Sequence, residues 1–227
     1  MKKILVTIFT FVALFSIPAQ AVERSFGISF THAGVDTTVT DDIDANGGTP
    51  DTTKNISNDV GIPSLFFEAS NAGDRGVLTV GIDWIPLSAE WDARSTTQSS
   101  VKASGDGAAS SGTNKGSVDV SGHMTLYIQP GIMLGDTGTQ LFGTLGLVRA
   151  DAEVEVVSVS STNKTVDDTL EGTKVGIGFK RETGFGFMKL EYSETDYDPI
   201  SVTTSNNTKV TGDMDISAIT LSLGKTF

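Results

Sequence analysis

The 227 residues contain two histidines and no cysteine, which leaves few groups able to act as a nucleophile or an imidazole base. A catalytic nucleophile needs a base beside it and a third group to orient that base. Neither His32 nor His123 sits in a motif of that kind, so the sequence assigns no catalytic residues and predicts no enzyme. His123, with Thr125 two positions on, reads as a hydrogen-bonded filler. Asp83, Lys180, Lys189 and Glu191 are the more telling group, because each falls, like His123, on the polar side of an alternating segment. Brought together in a low-dielectric interior, such charges must pair or hydrate. They would then form either a salt-bridged plug or a gate that reorganises to pass small ions. A third group, Asp42-Ile43-Asp44-Ala45-Asn46-Gly47, opens as a calcium loop does, with alternate oxygens at Asp42, Asp44 and Asn46. The twelfth position of that loop is Thr53, where a glutamate is needed. Acidic, glycine-rich surface loops share the composition, so no metal is assigned, and no cofactor is expected.

The elements that must position these residues are strands. Period-two alternation marks eight segments, at 25–35, 56–70, 76–91, 117–134, 139–157, 173–182, 185–197 and 213–227. In the fourth, Val118, Val120, Met124, Leu126, Ile128 and Ile132 oppose Ser117, Asp119, Ser121, His123, Thr125, Tyr127 and Gln129. The seventh sets Met188, Leu190 and Tyr192 against Lys189, Glu191 and Ser193. Two segments alternate less cleanly. Pro63 lies inside the second, which predicts a bulge near Pro63-Ser64 that resets the phase. In the fifth, Arg149, Asp151 and Glu153 continue the face begun by Leu141, Leu145 and Leu147. That pattern makes sense if the strand leaves an apolar surrounding near Arg149 and continues into water.

Connections alternate in length. Residues 71–75, 135–138 and 182–184 are short and rich in Gly, Asp and Asn, whereas 40–54, 92–115, 158–168 and 199–212 are long and polar. Residues 94–115, dominated by Ser, Gly, Ala and Thr, read as a low-complexity mobile loop. An up-and-down barrel crossing a membrane has this asymmetry, with tight periplasmic turns and longer outer loops, and an even strand number puts both termini in the periplasm.

The ends of the sequence agree. Lys2 and Lys3 precede an apolar run from Ile4 to Ile17, followed by Pro18 and Ala19-Gln20-Ala21, the layout of a cleaved secretory signal over residues 1–21. That run is shorter than the ~20 residues a spanning helix needs. Loss of Lys2 and Lys3 would take the net charge from −12 to −14, which argues against nucleic acid as a partner. Without cysteine a disulfide-stapled secreted fold is excluded. In the last segment Ile219, Leu221, Leu223 and Phe227 oppose Thr220, Ser222, Gly224 and Thr226.

This ending resembles the closing strand of bacterial outer-membrane barrels, where Leu221, Leu223 and Phe227 would serve as the insertion signal, although Lys225 departs from the pattern. Gly176-Ile177-Gly178, and then Leu190-Glu191-Tyr192-Ser193-Glu194-Thr195-Asp196-Tyr197, resemble the final strands of the small eight-stranded outer-membrane barrels, the OmpA/OmpX-like group. The likeness covers the whole mature chain in layout and its last part in motif. It implies an all-β, eight-stranded antiparallel transmembrane barrel over residues 22–227, without the periplasmic peptidoglycan-binding domain that some members carry. It also implies lipid, lipopolysaccharide and the barrel-assembly machinery as partners. Trp84 and Tyr192, some eight residues from a short turn, would mark the outer membrane interface, and His32 reads as an interface or loop-base residue. The expected role is a structural, surface-exposed barrel with at most a narrow lumen. A passive solute channel, an adhesin acting through its loops and a soluble ligand-binding barrel are the alternatives.

Overall fold

The computed structural model describes residues 22–42, 52–73, 76–91, 96–101, 110–157, 164–203 and 209–227. Its strands are β1 (Glu23–Asp42), β2 (Thr52–Ala72), β3 (Gly76–Trp84), β4 (Ala89–Trp91), β5 (Thr96–Val101), β6 (Ser110–Met133), β7 (Thr139–Val157), β8 (Lys164–Thr183), β9 (Gly186–Thr203) and β10 (Lys209–Thr226). Neighbours run β3-β2-β1-β10-β9-β8-β7-β6, and β6 pairs back onto β3, so the sheet closes on itself. Every pairing is antiparallel. Eight staves result, because β4 takes up the path of β3 along β6, while β5 pairs only with the far end of β6. This is the eight-stranded up-and-down barrel that the alternation and loop lengths predict.

The first and last staves meet in register from Ser25–Thr226 to Asp42–Lys209. On the inner side the seam is held by hydroxyl pairs: Ser25–Thr226 at 3.1 Å, Ser29–Ser222 at 2.9 Å and Thr31–Thr220 at 2.9 Å. On the outer side the Phe26 and Phe227 rings meet edge-on at 5.9 Å, and the Phe227 amide donates to the Arg24 carbonyl at 2.9 Å. The termini of the barrel therefore lie at one end, together with the tight turns. In one of those turns Gly135 and Gly138 both adopt positive φ, 63° and 66°, where a side chain would be strained.

An apolar belt surrounds this end. Phe26, Ile28, Phe30, Leu65, Phe67, Leu78, Ile82, Trp84, Met124, Ile132, Leu141, Leu145, Leu147, Val175, Ile177, Phe179, Met188, Tyr192, Ile219, Leu221 and Leu223 all face outward and exposed. The inner face at the same level carries Ser, Thr, Gly, Gln and charged residues around four aromatic rings. Beyond the belt the two faces exchange character. Asp36, Asp59, Asp151, Glu153, Glu194, Asp196, Asp213 and Asp215 point outward, and a core of Val148, Ala150, Ala152, Leu170 and Tyr197 lies inside. The barrel is thus greasy outside and polar inside at one end, and the reverse at the other. The fifth segment behaves as its sequence implies, with Arg149 the first charge beyond the belt.

Several expectations about the strands need correction. No bulge forms at Pro63-Ser64, where the β1–β2 ladder passes unbroken through Phe30–Pro63 and Ser29–Ser64. The apparent phase change between Ile62 and Leu65 comes from the surroundings, because Ile62 faces the apolar upper interior and Leu65 the outer belt. A bulge occurs in β6 instead, where Gly122 and His123 together oppose one residue of β7 and Gly122 takes φ 60°. The extra residue turns Val120 inward and Asp119 and Ser121 outward, so the fourth segment does not keep one apolar face. A second bulge, between Gly212 and Met214, absorbs Pro199 within β9, so strand continues where a polar connection is predicted. The third stave breaks at Ile85–Ser88, around Pro86, rather than running to Trp91. Finally, residues 96–101 and 110–114, read as mobile loop, pair with each other as a two-stranded extension.

Candidate functional site: a charged plug in the lumen

Within the belt the inner positions come from alternate residues of all eight staves, and small residues make room for large ones. Inward Gly27, Gly81, Gly178 and Gly224 each lie directly across a ladder from a ring, Phe66, Tyr127, Phe142 and Phe187 respectively. The ring lies over its glycine, where a Cβ would collide with it. Aromatic cover of a strand glycine in this way fixes register and fills space without a side chain on the second strand. Phe66, Phe142 and Phe187 are buried inside the barrel near the tight-turn end.

Charges occupy the next layer. Lys189 pairs with Glu68, which also accepts a hydrogen bond from the Tyr127 hydroxyl at 2.7 Å. The Lys189 ammonium lies 4.7 Å from the Phe66 ring centre, 5.6 Å from Tyr127 and 5.9 Å from Phe142. Its cage is therefore one carboxylate and three aromatic faces, both attractive to a cation. Glu191 takes Lys174 at 2.7 Å, Thr144 at 2.6 Å and Gln129 at 3.0 Å. Asp83 accepts from Ser64 at 2.9 Å. Lys180 stands nearer the turns, 3.0 Å from Glu182 and 4.1 Å from the Phe187 ring centre. At the opposite edge of the layer His123 Nε2 meets the Tyr197 hydroxyl at 2.8 Å, and its buried Nδ1 has no partner among the described residues.

All five residues singled out from the sequence, Asp83, His123, Lys180, Lys189 and Glu191, line the lumen. They do not pair with one another. Their partners are Ser64, Tyr197, Glu182, Glu68 and Lys174. Glu68, the most buried carboxylate of the layer at 1 % exposure, escapes a reading in which a bulge at Pro63 scrambles the phase of β2. An unbroken alternation counted back from Phe67 would place it inside. Lys174 carries a fainter signal, inward parity next to Gly176.

On the outer face Trp84 and Tyr192 sit at the top of the belt, each about half exposed, and Tyr192 donates to Glu194 at 3.0 Å. His32 faces outward one position above Phe30. Leu221, Leu223 and Phe227 face outward beside β1. Of the candidate calcium residues, Asp42 ends β1, while Asp44 and Asn46 lie outside the described residues.

No protein-family model and no curated protein matches this sequence. Solved structures match it in fold. The outer membrane protease OmpT of Escherichia coli superposes with a TM-score of 0.51 at 10% identity, covering 93% of this chain and 100% of that one. The chain has the fold of an outer-membrane β-barrel. Two smaller likenesses accompany it. One is Ail, the attachment invasion locus protein of Yersinia pestis, with a TM-score of 0.41, 10% identity and coverage of 90% and 99%. The other is Neisserial surface protein A, with a TM-score of 0.31, 10% identity and coverage of 89% and 99%.

Proposed function

We propose that this outer-membrane barrel is a structural, surface-exposed protein with a closed lumen. The observation that carries the reading is the Glu68–Lys189 pair inside its aromatic cage, flanked by the Lys174–Glu191 pair. An eight-stranded barrel has an interior just wide enough for side chains to fill, and here rings and paired charges fill it. On this reading the cage leaves ions no hydrated path. The refolded barrel in a planar bilayer should give no unitary current steps. Stable steps from the wild-type protein would overturn the plug in favour of a passive channel.

Orientation follows from the same physics. The tight turns and both ends of the barrel belong in the periplasm, after removal of residues 1–21 as a secretory signal, with lipid and lipopolysaccharide around the belt and the assembly machinery acting during insertion. The acidic upper staves stand outside the cell. The chain lacks cysteine, so single cysteines test this cleanly. Asp196→Cys should react with an impermeant maleimide on intact cells, and Thr137→Cys only after the outer membrane is breached. The reverse pattern would overturn the orientation. A catalytic role gains no support from His123, whose ring bonds a tyrosine hydroxyl rather than a nucleophile. The extension of the staves beyond the belt favours surface recognition as a second reading. Trimming the connection 102–109 should then abolish partner binding and leave the barrel folded.

A further inference from the structure

Above the belt the ladder breaks along two lines. On one side β2 pairs with β3 only as far as Leu65–Trp84. The path of β3 resumes as β4, which pairs with β6, from Ala89–Val120 to Trp91–Val118, and not with β2. On the other side β8 and β9 pair only as far as Gly172–Tyr197. The remaining ladders continue upward: β1–β2 to Asp41–Thr52, β1–β10 to Asp42–Lys209, β9–β10 to Thr203–Lys209, β6–β7 to Lys115–Val157 and β7–β8 to Val156–Lys164. Among the described residues the upper wall is therefore two four-stranded sheets face to face, β2-β1-β10-β9 and β8-β7-β6-β4, standing on a closed ring. Each break meets proline at the same step. Continuing each register two positions past its last pair sets Pro63 against Pro86, and Leu170 against Pro199. A proline has no amide hydrogen to give to a ladder.

Side-chain packing joins the two sheets. Val148, Ala150 and Ala152 of β7 and Leu170 of β8 form one core with Tyr197 of β9, and Ile216 of β10 packs against it. Sheets held face to face share buried area but no directional bonds, so they part more readily than laddered strands do. Among the described residues above the charged layer, one side-chain hydrogen bond crosses between the sheets, and it links the roots of both breaks. His123 of β6 stands at the first root, where the Ile85 amide donates to its carbonyl at 3.0 Å and the next residue, Met124, pairs with Trp84. Tyr197 stands at the second, as the last residue of β9 laddered to β8. The two side chains meet across the interior, Nε2 to hydroxyl, at 2.8 Å. The imidazole is bonded there alone, because its Nδ1 has no partner among the described residues.

We propose that the upper half of the barrel is a hinged clamp: its two sheets part and close as units on the fixed ring beneath, and the His123–Tyr197 bond is the pin that holds them closed. Loss of that single bond frees the imidazole and leaves the sheets held by packing alone. The ring does not follow the motion. The Glu68–Lys189 and Lys174–Glu191 pairs lie where all eight staves are laddered, below both breaks. The clamp concerns the wall above the plug, and it holds whichever way the barrel stands in a membrane.

The test is a pair of spin-label distances in the full barrel, refolded in detergent micelles. Labels at Glu153→Cys in β7 and Asp215→Cys in β10, both outward and exposed, span the two sheets. Labels at Leu145→Cys and Leu221→Cys span the ring below. The ring pair should give one narrow distance, and the upper pair should add a longer population. Tyr197→Phe, which keeps the aromatic ring and removes the hydroxyl, should enlarge that longer population and leave the ring pair unchanged. A second variant acts on the break itself. Glu171→Cys with Asp198→Cys occupies the positions next beyond Gly172–Tyr197. Oxidised, it should slow amide exchange in the upper staves of both sheets, and reduction should reverse the effect. A single upper distance in the wild type and in Tyr197→Phe alike would overturn the clamp. Upper amide exchange that the cross-link leaves unchanged would also overturn it, because single strands would then be fraying rather than sheets parting.

Discussion

Lys189 shows what one residue does inside a filled barrel. Its ammonium neutralises Glu68 and lies against three rings. Lys189→Ala should leave Glu68 with only the Tyr127 hydroxyl, and stranding one member of a buried pair typically costs about 3–5 kcal/mol. The expected outcome is a lower urea midpoint for unfolding from detergent micelles. The paired change Lys189→Met with Glu68→Gln should recover most of the loss, since it removes both charges and keeps the volume. If Lys189→Ala unfolds at the wild-type midpoint, the pair does not hold the barrel. The sequence placed Lys189 and Glu191 in the lumen by parity alone, but it could not say which acid each lysine meets. Partner choice depends on stagger between staves, which lies in the ladder registers and not in any one segment. Glu68 is hidden for a different reason: Pro63 suggests a phase break that the backbone does not make.

At the scale of elements, one physical change explains most of what was legible and most of what was not. Each stave passes from the apolar belt into the acidic wall above it, and the apolar residues move from the outer face to the inner as it does. In β1 the apolar run passes from Phe26, Ile28 and Phe30 to Ala33 and Val35; in β7 it passes from Leu145 and Leu147 to Val148 and Ala150. A continuous strand therefore shows a parity jump in sequence, and β2 makes that jump between Ile62 and Leu65 without any bulge. In β6 the converse holds. Val120 and Met124 share parity and look like one face, but Gly122 supplies a bulge, so each still suits its surroundings. Parity in sequence mixes backbone phase with environment, and only the ladder separates them. Gly122→Ala should strain the left-handed position by roughly 1 kcal/mol. Amide exchange should then quicken in 117–121 of β6 and its β7 partners, with the belt unchanged. Deleting Gly122 should be far worse, because it would turn Asp119 and Ser121 into the apolar interior. A deletion variant with wild-type protection above the belt would show that the bulge has no role in the inversion.

The whole molecule carries its charge unevenly, and that sets its response to acid. Above the belt, Asp36, Asp215 and Asp196 are direct cross-strand neighbours in one outer row, with Asp213 and Glu194 alongside. Partial loss of hydration raises the pKa of Asp215 above its ordinary value, and the carboxylates of Asp196, Asp213, Asp36 and Glu194 raise it further. An acid whose pKa is higher in the folded state binds more protons folded than unfolded between the two values. Stability of the upper wall therefore rises as pH falls from neutral into that interval, and declines as pH rises through the folded pKa. This is opposite to a barrel held by carboxylate ion pairs, as its own midplane is. Amide exchange in β1, β9 and β10 above the belt, corrected for intrinsic rates, should be slower just above the ordinary aspartate range than at neutral pH. The difference should shrink in high salt, which screens exposed charges, and Asp215→Asn should reduce it at low salt. Protection that falls on acidification at low ionic strength would mean the carboxylate row does not repel itself in the folded wall. The extended staves would then owe their cohesion to the acids rather than hold together in spite of them.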